Sequence, residues 1–337
     1  MALPEPAFWI WRDHRIAWTR GGAADAPQAV VLIHGFGASL GHWRHTLPAL
    51  SEGATEGATE GATEGSSVYA LDLLGFGASD KPRSQLEGEP ASPDAVRYCF
   101  DLWAEQVADF VAVLVRADAP GRPLHLVGNS IGGIVALNTA RLLQERGTPA
   151  SQVVLIDCAQ RTLDEKRIGE LPIWEQAGRP LLRQLVRQRW LLAPLFAILA
   201  RPAFIRRVLR VAYPSGANVD DELVALLHRP ATDPGAVESF RGFVNLFRDH
   251  LAPDLLAQLT LPVRMIWGER DPWEAPAEAR RWAAQRDCVR ELRVLEGLGH
   301  CPHDEAPERV NPILREWLTT DPLATPPTPP TPPTLDA

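Results

Sequence analysis

Apolar and polar positions along the chain fall into two kinds of pattern. Residues 29–33, 68–73, 124–127, 153–156, 263–267 and 290–295 form apolar runs of strand length, most of them nearly uninterrupted. A strand with one wet face alternates, so runs this continuous predict parallel strands covered on both sides. Between several of them, residues 100–116, 134–144, 275–285 and 308–318 repeat apolar positions at helical spacing. Two aromatic and β-branched runs, residues 8–11 and 15–19, flank Asp13-His14 and predict an N-terminal hairpin. Strand and helix in alternation predict an α/β fold, with a mostly parallel central sheet and helices on both faces.

The alternation stops between about residues 160 and 251, where the pattern turns helical, interrupted by prolines, with no convincing strand. We read residues 161–250 as a helical cap inserted into one catalytic core made of residues 1–160 and 251–320. Residues 53–65 spell Gly-Ala-Thr-Glu three times and close on a glycine, which reads as a flexible loop expansion. Residues 321–337 carry Thr-Pro-Pro repeats and read as a disordered tail with polyproline character.

Composition narrows the function classes. The chain has 337 residues, 45% hydrophobic and 23% charged, an ordinary globular balance. Its formal net charge of -8 argues against a nucleic-acid partner, which would call for a basic surface. Cys99, Cys158, Cys288 and Cys301 show no paired spacing, so a reducing, cytoplasmic setting is expected rather than a disulfide framework. The first twelve residues lack a basic and then apolar leader pattern, and no apolar run approaches the roughly 20 residues of a spanning helix. Neither secretion nor membrane crossing is expected.

The chemistry begins at Gly128-Asn-Ser-Ile-Gly-Gly133, where an apolar strand breaks into a helical pattern. A lone Gly-x-Ser-x-Gly is weak, but between strand and helix it reads as a nucleophile elbow. The sharp turn lifts the Ser130 hydroxyl clear of the backbone and puts a helix N-terminus behind it. A serine needs a base to take its proton, and the base needs a third group to fix its tautomer. In this chain order both lie downstream, after strands: Asp271 in Trp267-Gly-Glu-Arg-Asp-Pro-Trp273, and His300 in Gly297-Leu-Gly-His300. Asp157, at the end of the strand before the cap, is the rival acid, while Asp271 read alone would be an ordinary turn residue before proline. The oxyanion hole is expected from the backbone N–H groups of Ile131 and Phe36, the latter in His34-Gly-Phe-Gly37. His300-Cys-Pro-His303 invites a metal reading, but no structural zinc spacing accompanies it, so no metal and no cofactor are expected. The serine at the elbow excludes nucleophilic aspartate chemistry, and neither Lys81 nor Lys166 follows a glycine-rich phosphate loop.

From Arg179 to Tyr213 there are eight arginines and no acidic residue, interleaved with leucines and aromatics. Arg183 and Arg187 lie one turn apart opposite a leucine stripe, giving a basic amphipathic helix. Two arrangements follow. Either the helix contacts an anionic membrane surface peripherally, or its stripe packs inward on an apolar substrate pocket while the arginines meet solvent.

Several segments resemble the pheophytinase group of α/β-hydrolases, esterases that remove the phytyl chain from chlorophyll derivatives, with chlorophyll dephytylases as near relatives. They are His34-Gly-Phe-Gly-Ala-Ser39 with His42-Trp-Arg44, the stretch from Val68 to Gly77 with Ser79-Asp-Lys81, the elbow, Trp267 to Trp273, and Gly299-His-Cys-Pro-His-Asp-Glu305. Asn218 to Val224 and Pro230 to Pro234 extend the likeness into the cap. The resemblance implies an α/β-hydrolase fold, Ser130, Asp271 and His300 as triad, a long isoprenoid ester as the small-molecule lipophilic substrate and no cofactor. Beside the membrane contact that the basic cap helix suggests, the expected location is cytoplasmic, peripheral to an internal, photosynthetic membrane; the Gly-Ala-Thr-Glu repeat, the Pro/Thr tail and the lack of a plastid transit segment depart from the resemblance. Two alternatives stand beside a serine esterase acting through an acyl-enzyme. One is a carbon–carbon bond hydrolase of ring-fission diketones, whose carboxylate a cap arginine would bind; the other is a non-catalytic binding protein on the same fold. Removal of residues 322–337 is expected to leave hydrolysis intact, measured as kcat/KM of the shortened and full chains on one ester.

Overall fold

The computed structural model describes residues 3–52, 65–162 and 164–320. The expectations for the Gly-Ala-Thr-Glu repeat, apart from its closing Gly65, and for residues 321–337 lie outside the described residues.

The chain opens with β1 (Ala7–Trp11) and β2 (His14–Gly21), paired antiparallel through a turn in which Arg12 and Asp13 take positive φ. Then follow β3 (Ala29–Ile33), β4 (Ser67–Leu71), the two-residue pair β5 (Arg83–Ser84) and β6 (Ala95–Val96), β7 (Leu124–Asn129), β8 (Gln152–Ile156), β9 (Val263–Gly268) and β10 (Val289–Leu295). The main sheet runs β1-β2-β4-β3-β7-β8-β9-β10, antiparallel across the first two pairings and parallel from β4 onward. Every residue of β3, β4, β7, β8 and β9 is buried, which accounts for their largely apolar character.

Successive side chains of each strand serve different faces. Val31, Ile33, Leu126, Leu155 and Met265 pack beneath Trp103, Val107 and Phe110 on one side. Val30, Leu32, Val127, Val154 and Ile266 pack with Trp43, Leu47, Leu314 and Trp317 on the other. The predicted helix over residues 100–116 begins as Phe100–Phe110 but winds as a wider π-type turn over Val111–Val115, where three β-branched valines crowd an α-turn.

Between β8 and β9 lie the helices Ile173–Val186, Arg189–Leu199, Pro202–Ala212, Asp221–Ala231 and Ala236–Val244. Leu209, Ala212, Tyr213, Leu223 and Val224 form a small core of their own that reaches Cys301 in the loop after β10. The helix Ile173–Val186 does not turn its leucine stripe inward. Leu181, Leu182 and Leu185 are exposed, whereas Arg179 is buried and Arg183 pairs with Glu165.

Because β3 and β7 to β10 run the same way, the loops leaving their C-terminal ends gather along one edge of the sheet. The helix Ile131–Glu145 follows β7 there and packs tightly against β3. A Cβ on Gly132 would collide with the backbone carbonyl of Ile33, and one on Gly128 with that of Gly132. Gly132→Val should therefore lower the melting temperature and abolish active-site labelling of Ser130 together, a joint loss that thermal unfolding and a fluorophosphonate probe would record.

Candidate active site

Ser130 sits between the last residue of β7 and the first of the helix, with φ of 56° and ψ of -124°. A non-glycine residue in that region is strained and persists only where its surroundings hold it. Here the Ser130 N–H donates to Ile156 O at 3.0 Å, and its carbonyl accepts from Gly133 N at 3.0 Å and Ala159 N at 3.1 Å. The backbone is thus pinned from β8 and from its own helix, leaving the side chain as the free part.

The loop after β3 presses on the elbow, and Gly35 comes so close that a Cβ would lie 3.0 Å from Ser130 Cβ. His34 is wholly buried, and its bonds settle its tautomer. Nδ1–H donates to Gly35 O at 2.8 Å, so Nε2 accepts from Leu73 N at 3.1 Å. Burial lowers its pKa to about 4, partly opposed by the bond to Gly35, which keeps this loop neutral. As first residue of its helix, Ile131 has no intrahelical acceptor for its N–H. Phe36 N–H makes no hydrogen bond among the described residues.

His300 and Asp271 meet as expected, with His300 Nδ1–H donating to Asp271 Oδ2 at 2.7 Å. Asp271 Oδ1 accepts from Trp273 N and Glu274 N at 2.9 and 3.0 Å. Burial raises the Asp271 pKa, but the hydrogen bond and charge of His300 outweigh it and hold the carboxyl below its usual range. Asp157 lies in the same loop cluster with the opposite character. It is fully buried, accepts from Gly268 N at 2.8 Å, and is pushed well above the ordinary carboxylate range by burial and then by the charge of Asp271. Its Oδ2 finds no hydrogen-bond partner among the described residues, and burial beside Asp271 disfavours its charged form. Glu269 faces away and accepts from Gly297 N.

The sequence did not single out several contributors. Asn129 Nδ2 donates to both Ile156 O and His300 O at 3.1 Å, tying the elbow to the histidine loop. The Trp273 ring stands edge-on to His300 with centroids 4.9 Å apart. Glu274 is pushed up to about 7, chiefly by burial, against the lowering effect of its bond from Gln160 N. The unassigned His42-Trp-Arg44 motif proves to be a strut. Arg44 Nε donates to Asp304 Oδ1 at 2.9 Å, Tyr213 Oη donates to Asp304 Oδ2 at 3.0 Å, and His42 Nε2 meets Tyr213 Oη at 2.8 Å. Together with His300 N donating to Ala212 O at 2.9 Å, these bonds fix the His300 loop against the inserted helices. Among the described residues no cluster of three His, Cys, Asp or Glu side chains is placed to hold a metal ion.

Ser130, His300, Phe36 and Ile131 line one cavity of about 820 Å3, walled by Trp273, Phe243, Phe247, Leu209 and Val186. Phe36 is also in the wall of a second, apolar cavity of about 280 Å3, lined by Phe76, Phe196, Leu199, Phe204 and Phe240. Its ring stacks on Phe243 at 3.9 Å between centroids. The site therefore combines a strained serine, an imidazole oriented by a carboxylate, two free N–H groups and an oily chamber.

Substitution separates the two carboxyls. Asp271→Asn should reduce kcat by about 10⁴, because the imidazole loses the partner that sets its tautomer. Asp157→Asn, a neutral replacement able to keep the bond from Gly268 N, should change kcat by less than about tenfold. Steady-state kinetics on one ester would read both, and the reverse ranking would make Asp157 the acid.

Residues 30–313 match the Alpha/beta hydrolase family. Pheophytinase, chloroplastic, of Arabidopsis thaliana is 24% identical over 352 residues, covering 90% of this chain and 64% of that protein, so the chain spans less than two thirds of that relative. The (lyso)-N-acylphosphatidylethanolamine lipase of Bos taurus is 25% identical over 306 residues, 85% of this chain and 78% of that protein. Among solved structures, a membrane phospholipase A described as a bacterial virulence factor superposes with a TM-score of 0.65 at 25% identity, covering 93% of this chain and 85% of that one. The match of most of its length, on a sheet of this order with these strand-end loops, makes the chain a member of the α/β-hydrolase family with lipase- and esterase-like relatives.

Proposed function

We propose that this hydrolase is a serine esterase that cleaves a bulky lipophilic carboxylic ester through an acyl-enzyme, with the phytyl ester of pheophytin or chlorophyll as leading substrate. The observation that carries the proposal is the opening of Ser130 and of His300, itself bonded to Asp271, onto the same 820 Å3 apolar-walled cavity. With Nδ1–H given to Asp271, His300 keeps Nε2 for the proton of Ser130 Oγ. The serine adds to the ester carbonyl, and the oxyanion forms against the N–H groups of Ile131 and Phe36. Each such donor is typically worth about 3 kcal/mol in the transition state. His300 then protonates the departing alcohol, and water activated by the same nitrogen releases the acid. Residues 161–250 serve as the cap that walls the chamber, and the smaller cavity behind Phe36 offers further apolar room for a hydrocarbon chain.

The named relatives support a lipophilic ester, since they are a pheophytinase, a lipase and a phospholipase. A second reading, the carbon–carbon bond hydrolase, draws on Arg179, a buried cap arginine in the cavity wall where a substrate carboxylate would sit.

Pure protein and Ser130→Ala should be incubated with pheophytin a, chlorophyll a, a phospholipid and a ring-fission diketone, and the products separated by chromatography. Dephytylated pigment from the wild type alone is expected, with Ser130 labelled by fluorophosphonate. Cleavage of the phospholipid or diketone instead moves the substrate while keeping the nucleophile, and no labelling of Ser130 would leave a binding protein.

A further inference from the structure

The helix Ile173–Val186 is built inside out for a globular protein. Ile173 and Leu181 are 80% and 66% exposed, and Leu182 and Leu185 lie open beside them. Arg179 is the side chain turned to the protein, 6% exposed, while Arg183, itself 44% exposed, pairs with Glu165 and lies over the Phe247 ring. The next helix, Arg189–Leu199, continues the exposed apolar surface with Trp190, 71% exposed, Leu195 and Ile198. An apolar surface this extended on a folded chain marks a place where something binds. Leu182 and Val186 also line the cavity that holds Ser130, so the same apolar surface runs from solvent into the site.

Charge selects the occupant. Glu175, in the first turn of Ile173–Val186, is the one acid that this helix carries, and from Arg179 to Tyr213 there is none; Arg201, Arg207 and Arg210, at and on the helix Pro202–Ala212, are exposed and make no ion pair among the described residues. A second copy docked through this face would set arginine against arginine, which disfavours an isologous dimer. An anionic lipid surface accepts the leucines and tryptophan into its interface and meets the arginines with phosphates. No helix among the described residues is long and apolar enough to cross a bilayer.

We propose that the outward leucine face of Ile173–Val186, extended by Trp190, docks the protein on an anionic bilayer and aligns the cavity mouth with the lipid from which substrate is drawn. The delivery step rests on the esterase reading; docking does not, and it is read without turnover.

The test is co-sedimentation of the full chain with phosphatidylcholine vesicles, with and without phosphatidylglycerol, at low and high salt. Wild type should bind the anionic vesicles and be partly released by salt. The double variant L181D/L185D, whose positions lie outside both cavities, should bind at least about tenfold more weakly while keeping fluorophosphonate labelling and hydrolysis of a short soluble ester. Failure of wild type to bind anionic vesicles, or equal binding by the variant, overturns the proposal. A wild-type dimer in ultracentrifugation that L181D/L185D dissociates, without vesicle binding, does so too and makes a second copy the occupant.

Discussion

The structure depends on a backbone turn that β3, β7 and β8 impose on Ser130. A residue with a side chain does not settle at φ of 56° unaided. It stays there because two glycines let the following helix come down onto the sheet, and because Ile156, Gly133 and Ala159 satisfy its backbone groups. Burial of the central strands on both faces keeps this geometry from relaxing. The strain is therefore held by the packing of the sheet core, which leaves the hydroxyl facing the cavity.

A second layer of order is electrostatic. Asp157 and Asp271 share one buried pocket, and two adjacent carboxylates in low dielectric cannot both ionise freely. Their surroundings divide the roles. Asp271 has His300 and two loop N–H groups, which favour its charge, whereas Asp157 has one N–H donor and no exposure. Asn129 and the Arg44–Asp304–Tyr213 strut then hold the histidine loop at a fixed distance from the elbow, joining strand ends more than a hundred residues apart in sequence.

Much of this was legible in the chain itself. Continuous apolar runs such as residues 29–33 and 153–156 mark strands covered on both faces, and the structure has β3 and β8 there, each fully buried. The order of Ser130, Asp271 and His300 after strands likewise points to one edge of the sheet, where the parallel strands bring their loops together. What periodicity could not convey was which side of a stripe is covered. Leu181 and Leu185 define a face as clearly as Leu143 does on the core helix, yet only Leu143 is buried. Nor does residue type disclose protonation: Asp157 and Asp271 are the same letter, and their difference comes from neighbours brought together by the fold. The π-type turn at Val111–Val115 was hidden for a similar reason, since an apolar helix pattern reads the same whether its bonds reach four residues or five.

Phe36 belongs to two structures at once. Its amide is available at the serine, while its ring stacks on Phe243 and stands in the wall between the larger and smaller cavities. Under the proposed esterase reading, the residue that measures the hydrocarbon would also steady the charge of the reacting carbonyl. A chain that pushes the ring aside would move the amide with it, so substrate length would register in the chemical step as well as in binding. Evolution toward longer or shorter chains at this position could not proceed independently of rate, and selectivity would be adjusted more freely from the cap side of the partition, through residues such as Phe196 or Phe240, which carry no such second duty.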